Sequence, residues 1–210
     1  MSPVLHRFSI RTQVLLLALT IVLPAVATFA WFHFDDARHA RDEARREVAN
    51  LAVAATANLD RFLGQTEAMM ARLAARPQVR ALDARNCDPI VAEFVKLNPE
   101  FNQLGIRDLE GNIICSYVPN PIARIDPREF PWFEEGVRSG KFNAGNAFPA
   151  PRVRRWVSVL THPILDDSGK VAALLILPVD LVKLSTQLLG FVPKNSLVTI
   201  ADRKDVALMR

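Results

Sequence analysis

The stretch RWVSVLTHPILDDSGKVAALLILPVDL, residues 155–181, decides the fold of this chain. It contains two mainly apolar runs, Arg155 to Ile164 and Lys170 to Val179, separated by the tetrapeptide DDSG at 166–169. Asp, Ser and Gly are typical of tight turns, and apolar runs of this length bounded by turn residues are typical of strands. The stretch therefore predicts a long β-hairpin.

A second hairpin is predicted upstream of the first. Apolar runs from Leu104 to Asp108 and from Ile113 to Val118 flank the turn sequence Glu110-Gly111-Asn112. Since tight turns join the strands of both hairpins, the sheet should be antiparallel and the fold class α+β. Short helices are expected at residues 90–97, 132–138 and 181–189, and a further strand begins at 198–201.

One long helix is predicted from Asp35 to Arg76, a range that contains no proline. Small or apolar residues recur there at steps of three and four, which places them on one helix face. Such a helix would be ~60 Å long, longer than a small domain needs. We expect its alanine-rich first part to form a stalk that pairs weakly with a second copy, giving a homodimer, and its bulkier second part to pack on the sheet. The residues of this face are Ala37, Ala40, Ala44, Val48, Leu51, Ala55, Leu59, Phe62, Thr66, Met69 and Leu73.

The segment from Val14 to Phe34 contains no Asp, Glu, Lys or Arg. A helix of that length crosses a bilayer core of about 30 Å. Trp31, Phe32 and Phe34 stand at its end, where aromatic rings favour the membrane boundary. The segment therefore predicts a single transmembrane helix in the inner (plasma) membrane, with residues 1–13 in the cytoplasm and the domain in the periplasm.

A cleaved signal peptide is the alternative for this segment, because the small residues Ala25 to Ala27 follow Pro24. The apolar run continues past that point, which favours an uncleaved anchor. More arginines follow the segment than precede it, against the positive-inside rule, but a long domain can translocate despite such a bias. Either interpretation places the rest of the chain outside the cytoplasm.

Charge and cysteine content restrict the function further. The chain carries a net charge of +4, and its arginines alternate with acids, so no basic stripe with interleaved aromatics exists and nucleic acid is not an expected partner.

Cys87 and Cys115 are the two cysteines. Two cysteines in a chain sent across a membrane more often pair than stay free, so we expect a disulfide. Two separate buried thiols are the alternative.

The segments GIRDLEGNIICSYVP (105–119), PWFEEGVRSGKF (131–142) and the hairpin of 155–181 follow the predicted anchor and long helix. In their order and spacing they resemble the extracytoplasmic Cache sensor domains. The likeness is greatest to the membrane-distal half of the double-Cache type, which precedes bacterial diguanylate cyclases and sensor histidine kinases. The resemblance implies a PAS-like antiparallel sheet with the long helix lying across it.

On this resemblance the chain divides into five regions. We expect a truncated or partial receptor, because a double-Cache receptor returns to the membrane through a second spanning helix and no second apolar run of that length is present. The regions are a cytoplasmic N-terminus (1–13), a transmembrane helix (14–34), a long stalk and packing helix (35–76), a membrane-distal Cache domain (77–190) and the start of an incomplete membrane-proximal Cache unit (191–210).

The resemblance also implies a small-molecule pocket on one face of the distal sheet. Amino-acid-binding members carry an arginine two residues before the pocket aromatic, and this chain has Phe130 there, with Arg128 the nearest arginine. An anionic or zwitterionic solute is therefore expected. Packing is the alternative role for the aromatic residues, and capping of the next helix is the alternative role for Asp180. The candidate ligand residues are Arg128, Trp132, Phe133, Arg155, Trp156 and Asp180.

The residue pattern gives no support for catalysis or a cofactor. His162 has no second His, Cys or acid at metal-ligand spacing, so no metal is expected. The sequence therefore predicts a membrane-anchored sensory module that binds a small solute and is not an enzyme. One alternative is a structural dimerisation module without a ligand. A less favoured one is an anchored periplasmic hydrolase using His162 with Asp166 or Asp167.

Overall fold

The structure is a computed structural model that describes residues 10–98, 101, 103–116, 122–150, 155–193, 198–201 and 207–209; some side chains between residues 10 and 40 and those of 207–209 lie outside the description. The helices are α1 (Ile10–Ala74), α2 (Pro77–Arg80), α3 (Ile90–Leu97), α4 (Pro131–Ser139) and α5 (Leu181–Leu188). The strands are β1 (Gly105–Asp108), β2 (Ile113–Ser116), β3 (Asn143–Ala144), β4 (Phe148–Ala150), β5 (Arg155–Leu165), β6 (Val171–Asp180), β7 (Ile200–Ala201) and β8 (Ala207–Met209).

Both predicted hairpins are confirmed, and they belong to one antiparallel sheet. Its strand order is β2-β1-β6-β5-β3, and β4 pairs with β5 beside β3. In the long hairpin Val157 pairs with Asp180 and Thr161 with Ile176. Strands β7 and β8 form a separate two-stranded sheet, which includes the strand expected at 198–201. The α+β class is therefore confirmed, and the assignment of 191–210 to a second Cache unit stays a prediction.

The main sheet buries side chains on both faces, because successive residues of a strand point to opposite sides. On one face Leu160, Leu175 and Leu177 pack with Met70 and Leu73 of α1. We call this the α1 face. On the other face Val159, Leu174 and Ile176 pack with the aromatic side chains of α4. We call this the α4 face. Cores on both sides explain why β6 is apolar along almost its whole length.

Helix α1 is 65 residues long and contains Pro24. Its last part packs on the sheet as predicted, with Met70 fully buried. The chain divides into two compact units, residues 1–51 and 52–210. Along the stripe expected to pair two copies, Val48 is exposed, whereas Ala55, inside the second unit, is 3% exposed and already covered by its own chain. The homodimer stays a prediction.

The predicted transmembrane segment, Val14 to Phe34, is helical throughout. Within the described residues, no helix combines the length and the apolar character that a membrane crossing requires. Several side chains of the segment, among them those at positions 15, 16, 30 and 32–34, lie outside that description, as do residues 1–9 altogether. The membrane anchor and the cytoplasmic N-terminus stay predictions.

Cys87 and Cys115 form a disulfide, which confirms the expected pairing. The bridge joins the segment before α3 to strand β2 and places the two Cα atoms 5.8 Å apart. Next to it the buried carboxylate of Asp88 accepts two hydrogen bonds from the guanidinium of Arg76, at 2.6 and 3.1 Å. The hydrogen bond from Arg76 lowers the pKa of the Asp88 carboxyl, although burial opposes it. The end of α1, the start of α3 and β2 are thereby held together.

Replacing both cysteines, Cys87→Ser with Cys115→Ser, should lower the free energy of unfolding by roughly 3–4 kcal/mol. The bridge spans a sequence separation of 28 residues, and opening it returns conformational entropy to the unfolded chain. Denaturant titration without reductant measures the difference. Reductant should lower the free energy of unfolding of the wild-type protein to that of the variant, and should not change that of the variant. Two alkylatable thiols in the non-reduced wild-type chain would contradict the bridge.

Candidate functional site

Helix α4 is placed on the sheet by residue types that fix its two ends. Pro131 occupies its first position, where the missing N–H costs nothing, and Gly140 ends it with a left-handed φ of 58°. Trp132, Phe133 and Gly136 form its buried side. The sequence predicted this helix and its end correctly.

Two glycines allow α4 to lie directly against β3 and β5. A Cβ on Gly136 would be 2.7 Å from the hydroxyl oxygen of Thr161, and a Cβ on Gly145 would be 2.5 Å from the Cβ of Trp132. Larger residues at either position would push the helix away from the sheet. The position of the Trp132 side chain is therefore set by backbone contact.

The aromatic side chains at the start of α4 form one cluster. The ring of Phe130 lies 5.9 Å from that of Trp132 and 6.3 Å from that of Phe148 on β4, and Trp132 and Phe133 meet edge to face at 5.7 Å. The ring of Phe130 thus joins those of Trp132 and Phe148 in one apolar cluster. The packing role that was the alternative for Trp132 and Phe133 is observed.

Asp180 lies at the end of β6 with no exposed surface. Its Oδ2 accepts a hydrogen bond from Nη1 of Arg155 at 2.8 Å, and its Oδ1 accepts from the backbone N–H groups of Val182 and Lys183 at 3.0 and 3.2 Å. Burial alone raises the pKa of this carboxyl, but the bonds from Arg155 and the two N–H groups outweigh burial and hold the pKa below its usual value. Asp180 is therefore both the cap of α5 and the partner of a cation.

Strand register places the Arg155–Asp180 pair on the α4 face. Asp180 pairs with Val157, and Val157 pairs in turn with Phe148, whose ring meets Phe130. Paired residues of neighbouring strands share a face, and Arg155 is two residues from Val157. The ion pair and the aromatic cluster therefore occupy the same side of the sheet.

Two buried donors on this side have no hydrogen-bond partner among the described residues. They are Nε1 of Trp132 and Nδ2 of Asn143, and both residues are 8% exposed. Asn143 pairs with Thr161, the residue against which Gly136 of α4 packs. Sequence reasoning missed Asn143, because a strand of two residues carries no periodic signal.

The structure separates the remaining candidates from this group. Alternation along β5 puts Trp156 on the opposite face from Arg155, and its residue is 48% exposed. Arg128 lies in a short 3-10 turn, where its exposed guanidinium pairs with Asp126 at 3.1 Å. Trp132, Phe133, Arg155 and Asp180 are thus brought to one face, and Trp156 is not. The ligand roles of all six residues stay predictions.

An open groove of about 460 Å³ lies between the end of α1 and the β5–β6 turn, and His162 lines it together with Asp166 and Asp167. Nδ1 of His162 lies 2.9 Å from its neighbour's carbonyl oxygen, and Asp167 pairs with Arg80 at 2.8 Å. Asp166 instead accepts the hydrogen bonds that close the turn. The acids of the hydrolase alternative are therefore engaged with other groups. The described residues contain no cluster of three or more side chains suited to hold a metal ion.

No protein-family model matches the chain, and no curated protein matches it by sequence. Solved structures share its fold. The ligand-binding domain of the Pseudomonas fluorescens chemoreceptor CtaA, in complex with L-serine, aligns with a TM-score of 0.57 and 13% identity over 81% of this chain and 73% of that domain. The ligand-binding domain of the Campylobacter jejuni chemoreceptor Tlp3, in complex with L-valine, aligns with a TM-score of 0.56 and 15% identity over 76% of this chain and 68% of that domain. The ligand-binding domain of the Pseudomonas aeruginosa amino-acid chemoreceptor PctC, in complex with GABA, aligns with a TM-score of 0.52 and 17% identity over 76% of this chain and 71% of that domain. At these identities the likeness establishes a common fold.

Replacing Asp180 should separate its two structural roles. Asp180→Ala removes the cap of α5 and the partner of Arg155, and should lower the free energy of unfolding by about 1–2 kcal/mol at pH 7. Asp180→Asn keeps a capping oxygen and should cost less, because it loses the charge and the acceptor for Arg155 but retains the cap. Urea titration of the three proteins measures these differences.

The pH dependence follows from the lowered pKa of Asp180. Its ionised form stabilises the fold fully above the unfolded-state pKa of about 3.9, and this contribution is lost as the pH falls through the lower folded-state pKa. The stability difference between wild type and Asp180→Asn should therefore shrink from pH 7 to pH 3. A difference that stays constant over this range would contradict the ion pair.

Proposed function

We propose that this chain is the extracytoplasmic sensory module of a membrane receptor, and that it binds a small solute on the α4 face. The observation that carries the proposal is the ion pair between the half-exposed Arg155 and the buried Asp180, which shares that face with Trp132 and Phe133. The common fold with receptor domains solved with L-serine, L-valine and GABA supports it. In this proposal the chain performs no chemistry and passes the signal to an output domain of the diguanylate cyclase or histidine kinase type.

The proposed binding mode uses the charges and rings in separate roles. The side chain of Arg155 is 54% exposed, so an anionic group of a solute can reach its guanidinium, whereas Asp180 behind it is closed to solvent. Charge-assisted hydrogen bonds of this kind are stronger beside apolar walls than on an open surface. Trp132, Phe130 and Phe148 supply such walls. Trp156 is left out of the proposed pocket because it lies on the other face.

The proposal includes the membrane anchor at residues 14–34. Among the described side chains of this range, Leu17, Ile21 and Leu23 are all more than half exposed, as expected for groups that would face lipid. An uncleaved anchor requires the N-terminal residues to remain on the mature protein.

The full chain, produced in a Gram-negative host, should resist carbonate extraction from the inner-membrane fraction and retain its original N-terminus. The paired substitution Leu17→Lys with Leu23→Lys should release it from the membrane, because two charges within the apolar segment oppose insertion. Mass spectrometry of the intact protein reads the N-terminus. A mature chain that begins near Thr28 would show that the segment is a cleaved signal peptide.

A solute that binds the α4 face should stabilise the folded protein. At about 100 times its dissociation constant it adds roughly 2.7 kcal/mol to the free energy of unfolding. Thermal melting of the detergent-purified full chain against a library of amino acids and organic acids measures this effect. Trp132→Ala should abolish the stabilisation, whereas Trp156→Ala, on the opposite face, should retain it and is the matched control. Stabilisation by no solute would favour the purely structural module, and equal loss in both variants would contradict the assigned face.

A further inference from the structure

The α4 face offers hydrogen-bond donors without partners and an acid that is already neutralised. We infer that its solute is a carboxylic acid without an ammonium group, an organic acid as opposed to an amino acid. The inference rests on the proposed function and specifies the ligand class of the same site.

Asp180 is not available to a ligand cation. A carboxylate has about four lone-pair positions, and the bonds from Arg155, Val182 and Lys183 occupy three of those on Asp180. A ligand ammonium would also meet the positive charge of Arg155 at close range. The chain thus supplies its own cation to the buried acid of this face.

Two donors lack acceptors at the junction of α4 and β3. Nε1 of Trp132 and Nδ2 of Asn143 belong to residues that are more than nine-tenths buried, and neither has a partner in the described part of the chain. Gly136, one helical turn after Trp132, packs on Thr161, which pairs with Asn143. Trp132 and Asn143 therefore both lie along the contact between this helix and the sheet, and each donor is left for an oxygen atom of a ligand.

Arg155 adds further donors on the same face. Its guanidinium has five N–H groups, and in the described residues its hydrogen-bond partner is Asp180, through Nη1. Since this side chain is half exposed, its other N–H groups can donate to a carboxylate of a ligand. Because the ring of Phe130 contacts those of Trp132 and Phe148, the cluster is apolar and the body of the acid should be small and largely apolar.

The test compares ligand pairs that differ by one ammonium group. The pairs are 3-methylbutanoate with L-valine, 3-hydroxypropanoate with L-serine, and butanoate with 4-aminobutanoate. Thermal melting and calorimetry on the detergent-purified full chain should show binding of at least one carboxylate, at an affinity at least tenfold above that of its amino-acid partner.

Variants connect this preference to the named groups. Trp132→Phe keeps a ring and removes the Nε1–H donor, so it should weaken carboxylate binding by roughly ten- to a hundredfold. Arg155→Ala exposes Asp180 and removes the cation, so it should reverse the preference toward the amino acid of the pair. Arg80→Ala breaks a similar ion pair, with Asp167, outside the site and should change neither affinity. Melting curves without solute verify that each variant folds.

The outcomes separate this inference from the proposed function. Tighter or equal binding of the amino acids by the wild-type chain overturns the ligand class and leaves the sensory function standing. Carboxylate binding that Trp132→Phe and Arg155→Ala leave unchanged overturns the assigned groups. Binding of none of the six probes, nor of any solute in the wider library, overturns the proposed function together with the inference.

Discussion

The pairing of β5 with β6 is the constraint on which the rest of the structure depends. The two strands pair from Val157–Asp180 to Leu165–Val171, and both faces of the hairpin are covered. A strand buried on both sides needs apolar residues at nearly every position, which is what β6 has. The hairpin therefore sets where α1 can pack, where α4 can pack, and which side chains reach the candidate site.

Asp180 shows how one residue can end a strand, start a helix and hold a charge. A buried carboxylate is costly unless it is paired and hydrogen-bonded, and here a guanidinium and two backbone N–H groups compensate it. Helix α5 begins at the next residue, and its buried Leu181, Leu184 and Leu188 belong to the same core as the end of α1. The ion pair on the α4 face is thereby connected by direct contacts to the core on the α1 face.

Patterns that extend over many residues made most of the fold predictable from the sequence. Short elements and contacts between distant residues could not be predicted in this way. The hairpins, the long helix and α4 were predicted from apolar runs, helical spacing and turn residues, while β3, β4 and β8 have two or three residues each and no period to detect. For Asp180 the sequence left binding and capping as alternatives, and the structure shows capping together with an ion pair.

The candidate site was harder to predict, because it depends on which face a side chain occupies. Trp156 adjoins Arg155 in sequence, yet strand alternation separates them, and this could have been recognised once the strand was predicted. Asn143 could not be found in this way, since its partner Thr161 lies 18 residues away and its strand is too short for a pattern.

The two unpaired donors, on Trp132 and Asn143, belong to residues that packing and strand pairing hold in place. A buried donor without an acceptor costs about 1–3 kcal/mol, so a fold that could turn these groups toward an acceptor would gain stability. Contact with Gly145 prevents Trp132 from moving toward β3, and pairing with β5 holds the backbone of Asn143. Donors fixed in this way lose little conformational entropy when a ligand binds. The same packing that keeps each donor from an acceptor within the described protein therefore favours a ligand that brings an oxygen atom to it.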